Sequence, residues 1–329
     1  MKLSQNGQPI AVIIEGPENA PSILMLHGGP GYHWLPKEIK GLSHDLSGLG
    51  TGLRIHALQG RGCGIGEYLS PYQDLLDDNL YKRAEDLKAF ENPDIILGHS
   101  TGAMVALTAV IEGFVKPKKL ILLSPYTASL GEHAYWVNQK AKKYPAAFMR
   151  YKDFVENKWQ EHVGQLPEDL QENLYINWGK LYFLLPDEDK IKANLHYLDF
   201  HVIDSSHHVG LEGDEPYTRY KIMLENFSDI NEATKSALLR MGTINAHWWK
   251  TNFQDGYPFL EKLKEFNFNM PIYILSGEKD EITPPSTVKE LASVLKAELI
   301  MAPDACHLPE TDAPGDLKDN LVKLLKHIV

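Results

Sequence analysis

The stretch DIILGHSTGAMVAL, Asp94 to Leu107, sets Ser100 between Gly98 and Gly102, at the seam between an apolar run and a helical pattern. Ile95, Ile96 and Leu97 read as a short buried strand, while Ala103, Met104, Leu107, Val110 and Ile111 recur at helical spacing. A serine facing solvent needs no such frame, and a buried one ordinarily bonds nearby backbone and stays inert. A sharp strand-to-helix turn does need the frame, because small residues two before and two after its apex let the helix close on the strand. Such a turn aims the hydroxyl outward. It also puts the Thr101 N–H at a helix N-terminus, where negative charge is favoured. The pattern predicts a nucleophile at Ser100 and an oxyanion donor at Thr101.

A chain of 329 residues has room for one large α/β domain with an insertion, or for two domains. Its 43% hydrophobic and 23% charged residues are ordinary for a globular protein. A net charge of −11 argues against nucleic acid and anionic membrane partners, and leaves small molecules or basic groups as the better candidates. The opening MKLSQNGQPIAVIIEG lacks the continuous apolar core of a signal peptide, and no run is long enough for a membrane span. Two cysteines, Cys63 and Cys306, make no disulfide framework and fit a reducing compartment.

Strand candidates fall at Ile10–Ile14, Ile23–Leu26, Leu53–Leu58, Ile95–Leu97, Leu120–Leu123, Ile272–Leu275 and Glu298–Met301. Amphipathic helical patterns separate most of them, which predicts an α/β fold with a mostly parallel central sheet flanked by helices. The rhythm breaks between about Pro125 and Met270, a segment rich in Trp, Tyr, His and acidic residues. Helical patterns such as Asp153–Val163 and Ala233–Met241 lie inside it, without strong strand signals. The expected organisation is therefore a core of residues 1–127 and 271–329, with a helical insertion of residues 128–270 after the sixth strand.

An active serine needs a base to take its proton and a carboxylate to orient that base. SGEKDEITPP places Asp280 in the loop after Ile272–Leu275, and APDACHLPE places His307 after the last strand. Functional groups of open α/β sheets gather at such strand ends, and the chain order Ser, Asp, His suits this architecture. A second oxyanion donor is expected after an earlier strand, where the chain reads ILMLHGGPGYHW. There the Gly29 N–H is assigned to the oxyanion and Gly28 to close backbone approach to the ligand. This machinery needs no Lewis acid, so neither a metal nor a cofactor is expected. His207, His208 and Asp204 form a polar cluster that lacks a complete ligand set.

His27-Gly28-Gly29-Pro30-Gly31 resembles the His-Gly-Gly-Pro-Gly signature of proline iminopeptidases and their close relatives among the α/β-hydrolases. QGRGCGIGEYLSP, Gln59 to Pro71, is similar to the family's Asp-Gln-Arg-Gly-Cys-Gly segment. The resemblance covers nearly the whole chain. It implies an α/β-hydrolase fold and a cytoplasmic, metal-independent peptidase that removes an N-terminal residue, often proline, from short peptides. It also implies that glutamates of the insertion hold the substrate's ammonium. The chain departs from the family at three places. Its elbow reads Gly98-His99-Ser100-Thr101-Gly102, where Gly-Gly-Ser-Trp-Gly is common; Gln59-Gly60-Arg61-Gly62 replaces Asp-Gln-Arg-Gly; and Trp178-Gly179 stands where a Trp-Glu pair is usual.

A carboxylate sheltered from water holds an ammonium best, because the attraction strengthens away from bulk solvent. Glu225, in Leu224-Glu225-Asn226-Phe227, is the first candidate, with Glu212, Asp214 and Glu215 in reserve. Trp178, with Tyr175, Tyr182, Phe183, Trp248 and Trp249, could line an apolar substrate pocket or serve as helix core. Two activities stay open: an aminopeptidase with a sheltered carboxylate, and a carboxylesterase or lactonase that needs none.

Overall fold

The computed structural model describes residues 2–3, 9–29, 34–48, 50, 52–63, 79–90, 92–127, 130–201, 219–253, 258–307 and 317–329. Two short strands, β1 (Lys2–Leu3) and β2 (Pro9–Ile10), pair antiparallel in a ladder of their own. The main sheet comprises β3 (Val12–Glu15), β4 (Ser22–Leu26), β5 (Arg54–Leu58), β6 (Ile95–His99), β7 (Lys119–Leu123), β8 (Ile272–Gly277) and β9 (Glu298–Ala302). Their order in space is β3-β5-β4-β6-β7-β8-β9. All neighbours run parallel except β3, which lies antiparallel to β5 at the edge.

That order fixes where a ligand can bind. From β4 the chain steps to β5 on one side, then returns to β6 on the other, so the winding reverses between β4 and β6. In open α/β sheets the crevice at such a reversal, at the carboxyl ends of the strands, is the usual binding place. Leu26 pairs with Gly98 in this register. The turns after the two strands, one opening at His27 and the other at Ser100, therefore leave the sheet side by side.

Helices α1 (Pro36–Gly48), α2 (Leu80–Glu85) and α3 (Thr101–Ile111) interleave with the first strands. After β7 come α4 (Leu130–Lys143), α5 (Pro145–His162), α6 (Leu174–Leu184), α7 (Asp187–His201), α8 (Arg219–Glu225) and α9 (Glu232–Phe253). The chain closes with α10 (Phe259–Glu265), α11 (Pro285–Leu295) and α12 (Leu317–Ile328). It divides into two compact units, Met1–His133 with Tyr257–Val329, and Ala134–Gly256.

In the first unit, Ile13, Ile23, Met25, Ile55, Ile95, Leu97, Ile121 and Leu123 form one apolar face with Ile39, Leu42 and Leu46 of α1 and Leu321, Leu324 and Leu325 of α12. Alternate residues of the strands point to opposite faces, so Ile96, Leu120 and Leu122 line the other. All three are buried, and α3 packs on β4, β6 and β7. Residues Thr101 to Val110 are buried all round, as a helix apolar on every face must be. Helix α10 packs on α3 through its own elements, and Lys262 Nζ reaches Glu112 Oε1 at 2.6 Å.

The second unit is helical. Ile191, Leu195 and Leu198 of α7 pack with Tyr220, Ile230 and Leu238, and Trp159 packs with Leu166 and Leu181. Its charged pair Arg150–Asp199 closes at 2.8 Å, with the carboxylate buried.

The structure corrects three expectations. The insertion follows β7, the fifth strand of the main sheet in chain order rather than the sixth, since among the described residues only β3, β4, β5 and β6 precede β7 in that sheet. Ile10–Ile14 is not one strand. Ile10 pairs with Lys2, whereas Val12 pairs with Leu58, and Gln59 N–H bonds the Ala11 carbonyl at the changeover. The helical pattern at Asp153–Val163 belongs to the longer α5, which ends at His162 before a 3-10 turn takes up Val163, and that at Ala233–Met241 is part of the longer α9.

Candidate active site

Ser100 follows β6 and opens α3. Its backbone stands at φ 51° and ψ −118°, a region that residues with a Cβ avoid. Holding it there costs on the order of 1–3 kcal/mol. Three hydrogen bonds offset this: Ser100 N–H to Leu123 O at 2.9 Å, and Ala103 N–H and Tyr126 N–H to Ser100 O at 3.0 and 3.2 Å. At about 1 kcal/mol each they suffice. Although Ser100 sits at the N-cap, its side chain makes no capping bond, so the hydroxyl has no structural duty at the helix start.

The flanking glycines prove obligatory for close packing. A Cβ on Gly98 would lie 2.5 Å from Gly102 O, and one on Gly102 would lie 2.6 Å from the carbonyl oxygens of Leu26 and His27. Backbone meets backbone there. Gly28 is equally crowded, since its Cβ would come within 2.8 Å of both Ser100 Cβ and His99 Nδ1. The turn after β4 is thus pressed directly onto the elbow.

Asp280 and His307 meet in the loops after β8 and β9, with His307 Nδ1 2.9 Å from Asp280 Oδ2. Asp280 is buried, and its acceptors are filled. Ile282 N–H and Thr283 N–H donate to Oδ1 at 2.8 Å, and Thr283 Oγ1 donates to Oδ2 at 2.6 Å. Burial alone would raise the carboxyl pKa, but the His307 charge and hydrogen bond, with those of Thr283, outweigh it and hold the group below the ordinary carboxylate value. An ionised carboxylate only accepts, so His307 Nδ1 carries the proton of that bond. In the neutral ring, Nε2 is then the basic nitrogen. The loop of His307 is tied to the elbow by a bond between His99 Nε2 and the His307 carbonyl, 3.0 Å long.

Of the two expected oxyanion donors, Thr101 is the first residue of α3, so its N–H has no acceptor within the helix by geometry. Gly29 turns at φ 54°, a conformation that favours glycine. The loop after β5 steadies this turn from both flanks. Gly60 N–H donates to His27 Nε2 at 3.0 Å, leaving His27 Nδ1–H to donate to Gly28 O, also at 3.0 Å. Beyond the turn, Gln59 accepts from Trp34 N–H at 3.2 Å and donates to Trp34 O at 2.7 Å. Arg61 anchors the loop through a two-point ion pair with Asp86, at 2.6 and 2.7 Å. Such a fork fixes geometry as well as charge.

Ser100, Thr101, Gly28, Gly29, Asp280 and His307 all belong to the first unit. The arrangement can attack a carbonyl, accept the nucleophile's proton and receive an oxyanion.

Residues 23–319 match the model of the alpha/beta hydrolase family. The chain belongs to that family. A proline iminopeptidase of Pestalotiopsis fici is 26% identical over 320 residues, spanning 92% of this chain and 90% of its own. Among solved structures, a 2-hydroxy-6-oxo-6-phenylhexa-2,4-dienoate hydrolase from a Rhodococcus strain superposes with a TM-score of 0.54 at 16% identity, covering 99% of this chain and 96% of its own. An esterase from Exiguobacterium antarcticum superposes at 0.53 and 15% identity, covering 99% and 98%. At such identities the two structures speak for the fold alone.

The remaining candidates of this alpha/beta hydrolase lie in the second unit. Glu225 is the exposed last residue of α8 and therefore lacks the shelter that made a carboxylate attractive. Trp178, partly buried, packs against the groups around Trp159 and Tyr182, as helix core does. Pro30 and Gly31, Asp204, His207 and His208, the acidic Glu212, Asp214 and Glu215, and residues 64–71 of the second family segment lie outside the described residues, as do the side chains of Tyr175, Trp248 and Trp249. No three His, Cys, Asp or Glu side chains gather into a metal-binding group among the described residues. Nor is any described helix long and apolar enough to cross a membrane.

Sequence reasoning passed over Glu132, which is buried in the first unit. Its Oε2 accepts from Thr127 N–H and Oγ1 at 3.0 and 2.9 Å. This carboxylate fixes the strand-end loop whose Tyr126 N–H holds the Ser100 carbonyl. Thr127 and Glu132 stand five residues apart, not the three of a capping box, so no local spacing announced the pair.

Proposed function

We propose that the protein is a serine hydrolase that works through an acyl-enzyme and removes an N-terminal residue, prolyl among them, from small peptides or amides. The observation that carries the reading is the 2.9 Å bond between His307 and an ionised Asp280, in a loop tied to the strained elbow of Ser100.

In this mechanism Ser100 Oγ attacks the substrate carbonyl carbon while His307 Nε2 takes the hydroxyl proton. Asp280 keeps the imidazole in its Nδ1–H form and stabilises the imidazolium. Negative charge moves to the carbonyl oxygen, where the N–H groups of Thr101 and Gly29 receive it. Collapse expels the amine, to which His307 returns the proton. Water then repeats the cycle on the acyl-Ser100 ester and releases the acid. Each step uses groups of the first unit only.

The choice of an amino-terminal substrate is supported by the His27–Gly29 signature and by the Pestalotiopsis fici relative. A carboxylesterase acting on a small ester is the second reading. It is favoured by the exposure of Glu225 and by Trp178-Gly179, which leave no sheltered carboxylate among those expected ammonium ligands that lie in the described residues. Paired assays with proline p-nitroanilide and p-nitrophenyl acetate separate the two. Turnover of the anilide that disappears when its amine is acylated supports the aminopeptidase; turnover of the ester alone supports the esterase.

A further inference from the structure

His99 performs none of the steps above, yet it stands between the base and the oxyanion turn. We propose that His99 is a positioning residue, whose Nε2–H holds the backbone of His307 and whose ring backs the oxyanion turn at Gly28, so that one side chain sets the distance between base and oxyanion donors. The inference rests on the serine-hydrolase reading and adds a residue to its site.

The geometry assigns the tautomer. A carbonyl only accepts, so in the 3.0 Å contact with His307 O the proton sits on His99 Nε2. Nδ1 is then the bare nitrogen of the neutral ring, and it faces Gly28, whose missing Cβ would lie 2.8 Å away. The imidazole is 5% exposed, and its centroid lies 5.2 Å from that of His307.

Such an arrangement restrains the base at two independent points. Asp280 grips the His307 ring at Nδ1, and His99 grips the same residue's main chain. Both restraints leave Nε2 for the proton of Ser100. The bond joins residues 208 positions apart, so the elbow strand and the last loop hold their spacing through it. The ring must also be uncharged when His307 becomes an imidazolium beside it. Burial first, and then the His307 charge, hold His99 down to about 3. The ionisable groups around it are His307, Asp280 and His27; the bond to the His307 carbonyl and then the Asp280 carboxylate favour the charged form, and burial outweighs them.

Three variants of the full chain test the proposal: His99→Gln, His99→Asn and His99→Phe. A Gln amide reaches as far as imidazole Nε2, an Asn amide only as far as Nδ1, and Phe keeps the ring but donates nothing. With p-nitrophenyl acetate, kcat is expected to fall roughly 10- to 100-fold in the Phe and Asn variants while KM changes little, because a displaced base costs rate rather than binding. The Gln variant should recover most of the loss. The low-field proton resonance of the His307–Asp280 bond should shift or broaden in the Phe and Asn variants and stay in place in the Gln variant.

Wild-type kcat with an unmoved resonance in the folded Phe variant would overturn the proposal. So would equal losses in all three variants, which would mean that the ring only fills space. Should the Phe variant fail to fold, the contrast between Gln and Asn decides. Failure of the underlying reading looks different: the wild type itself would leave the ester intact and Ser100 unlabelled by a fluorophosphonate, and the resonance would still report whether His99 holds His307.

Discussion

At the scale of single residues, Ser100 trades stability for a hydroxyl that makes no capping bond at the start of its helix. Its φ of 51° suits glycine far better than serine. Ser100→Gly is therefore expected to relieve strain of about 1–3 kcal/mol. Roughly 0.5–1 kcal/mol of that gain is offset by the greater freedom glycine has in the unfolded chain. Denaturant titration should find the Gly variant more stable than wild type by on the order of 1 kcal/mol, while hydrolysis falls by about 10⁴-fold or more. A Gly variant less stable than wild type would mean that the elbow is unstrained.

At the scale of elements, the site depends on the first turn of α3 closing on β6 and β4 at Gly98 and Gly102, where no side chain intervenes. Gly98→Ala and Gly102→Ala each push a methyl into backbone at 2.5–2.6 Å. Neither neighbour can rotate away. Each variant is expected to lose about 1–3 kcal/mol of stability and to lose activity with it, because the same displacement moves Ser100. Thermal unfolding checks this; an unchanged midpoint would show that the helix can slide without cost.

This element was legible in the sequence because its signals are local. Strand, glycine, serine, glycine and helix follow one another within fourteen residues, and the loop positions of Asp280 and His307 follow from the apolar runs before them. The contacts that refine the site were not legible, because they join distant segments. His99 to His307, Gln59 to Trp34 and Arg61 to Asp86 depend on strand register, which no spacing along the chain reveals. The break at Ala11 escaped notice for a similar reason. Ile10–Ile14 has uniform β propensity, and only its partners, Lys2 on one side and Leu58 on the other, divide it. Glu225 shows the opposite limit: a local match to a family segment says nothing about how far water reaches it.

At the scale of the whole molecule, one buried and one half-buried imidazole shape the response to acid. Burial pushes His99 down to about 3 in the first unit, and burial pushes His196 down to about 4 in the second. Both titrate near 6.5 once unfolded. The unfolded chain therefore binds more protons between these values, and stability falls as pH drops from about 6.5 toward 4, by about 1.4 kcal/mol per pH unit for each histidine in its own unit. Asp280, held below its ordinary 3.8, adds its loss only as pH falls below about 4. His196→Gln should flatten the acid dependence of the helical unit, read by far-UV circular dichroism in urea at pH 7, 6 and 5. An unaltered slope would mean that His196 titrates alike in both states.

The central claim is that Ser100 is the nucleophile and is activated by His307 held by Asp280. Labelling with a fluorophosphonate, followed by peptide mapping, tests it most directly. The account predicts one phosphonylated residue, Ser100, in the wild type, no labelling of Ser100→Ala, and labelling slowed by orders of magnitude in His307→Gln. A label on any other residue, or labelling at the wild-type rate without His307, would contradict it.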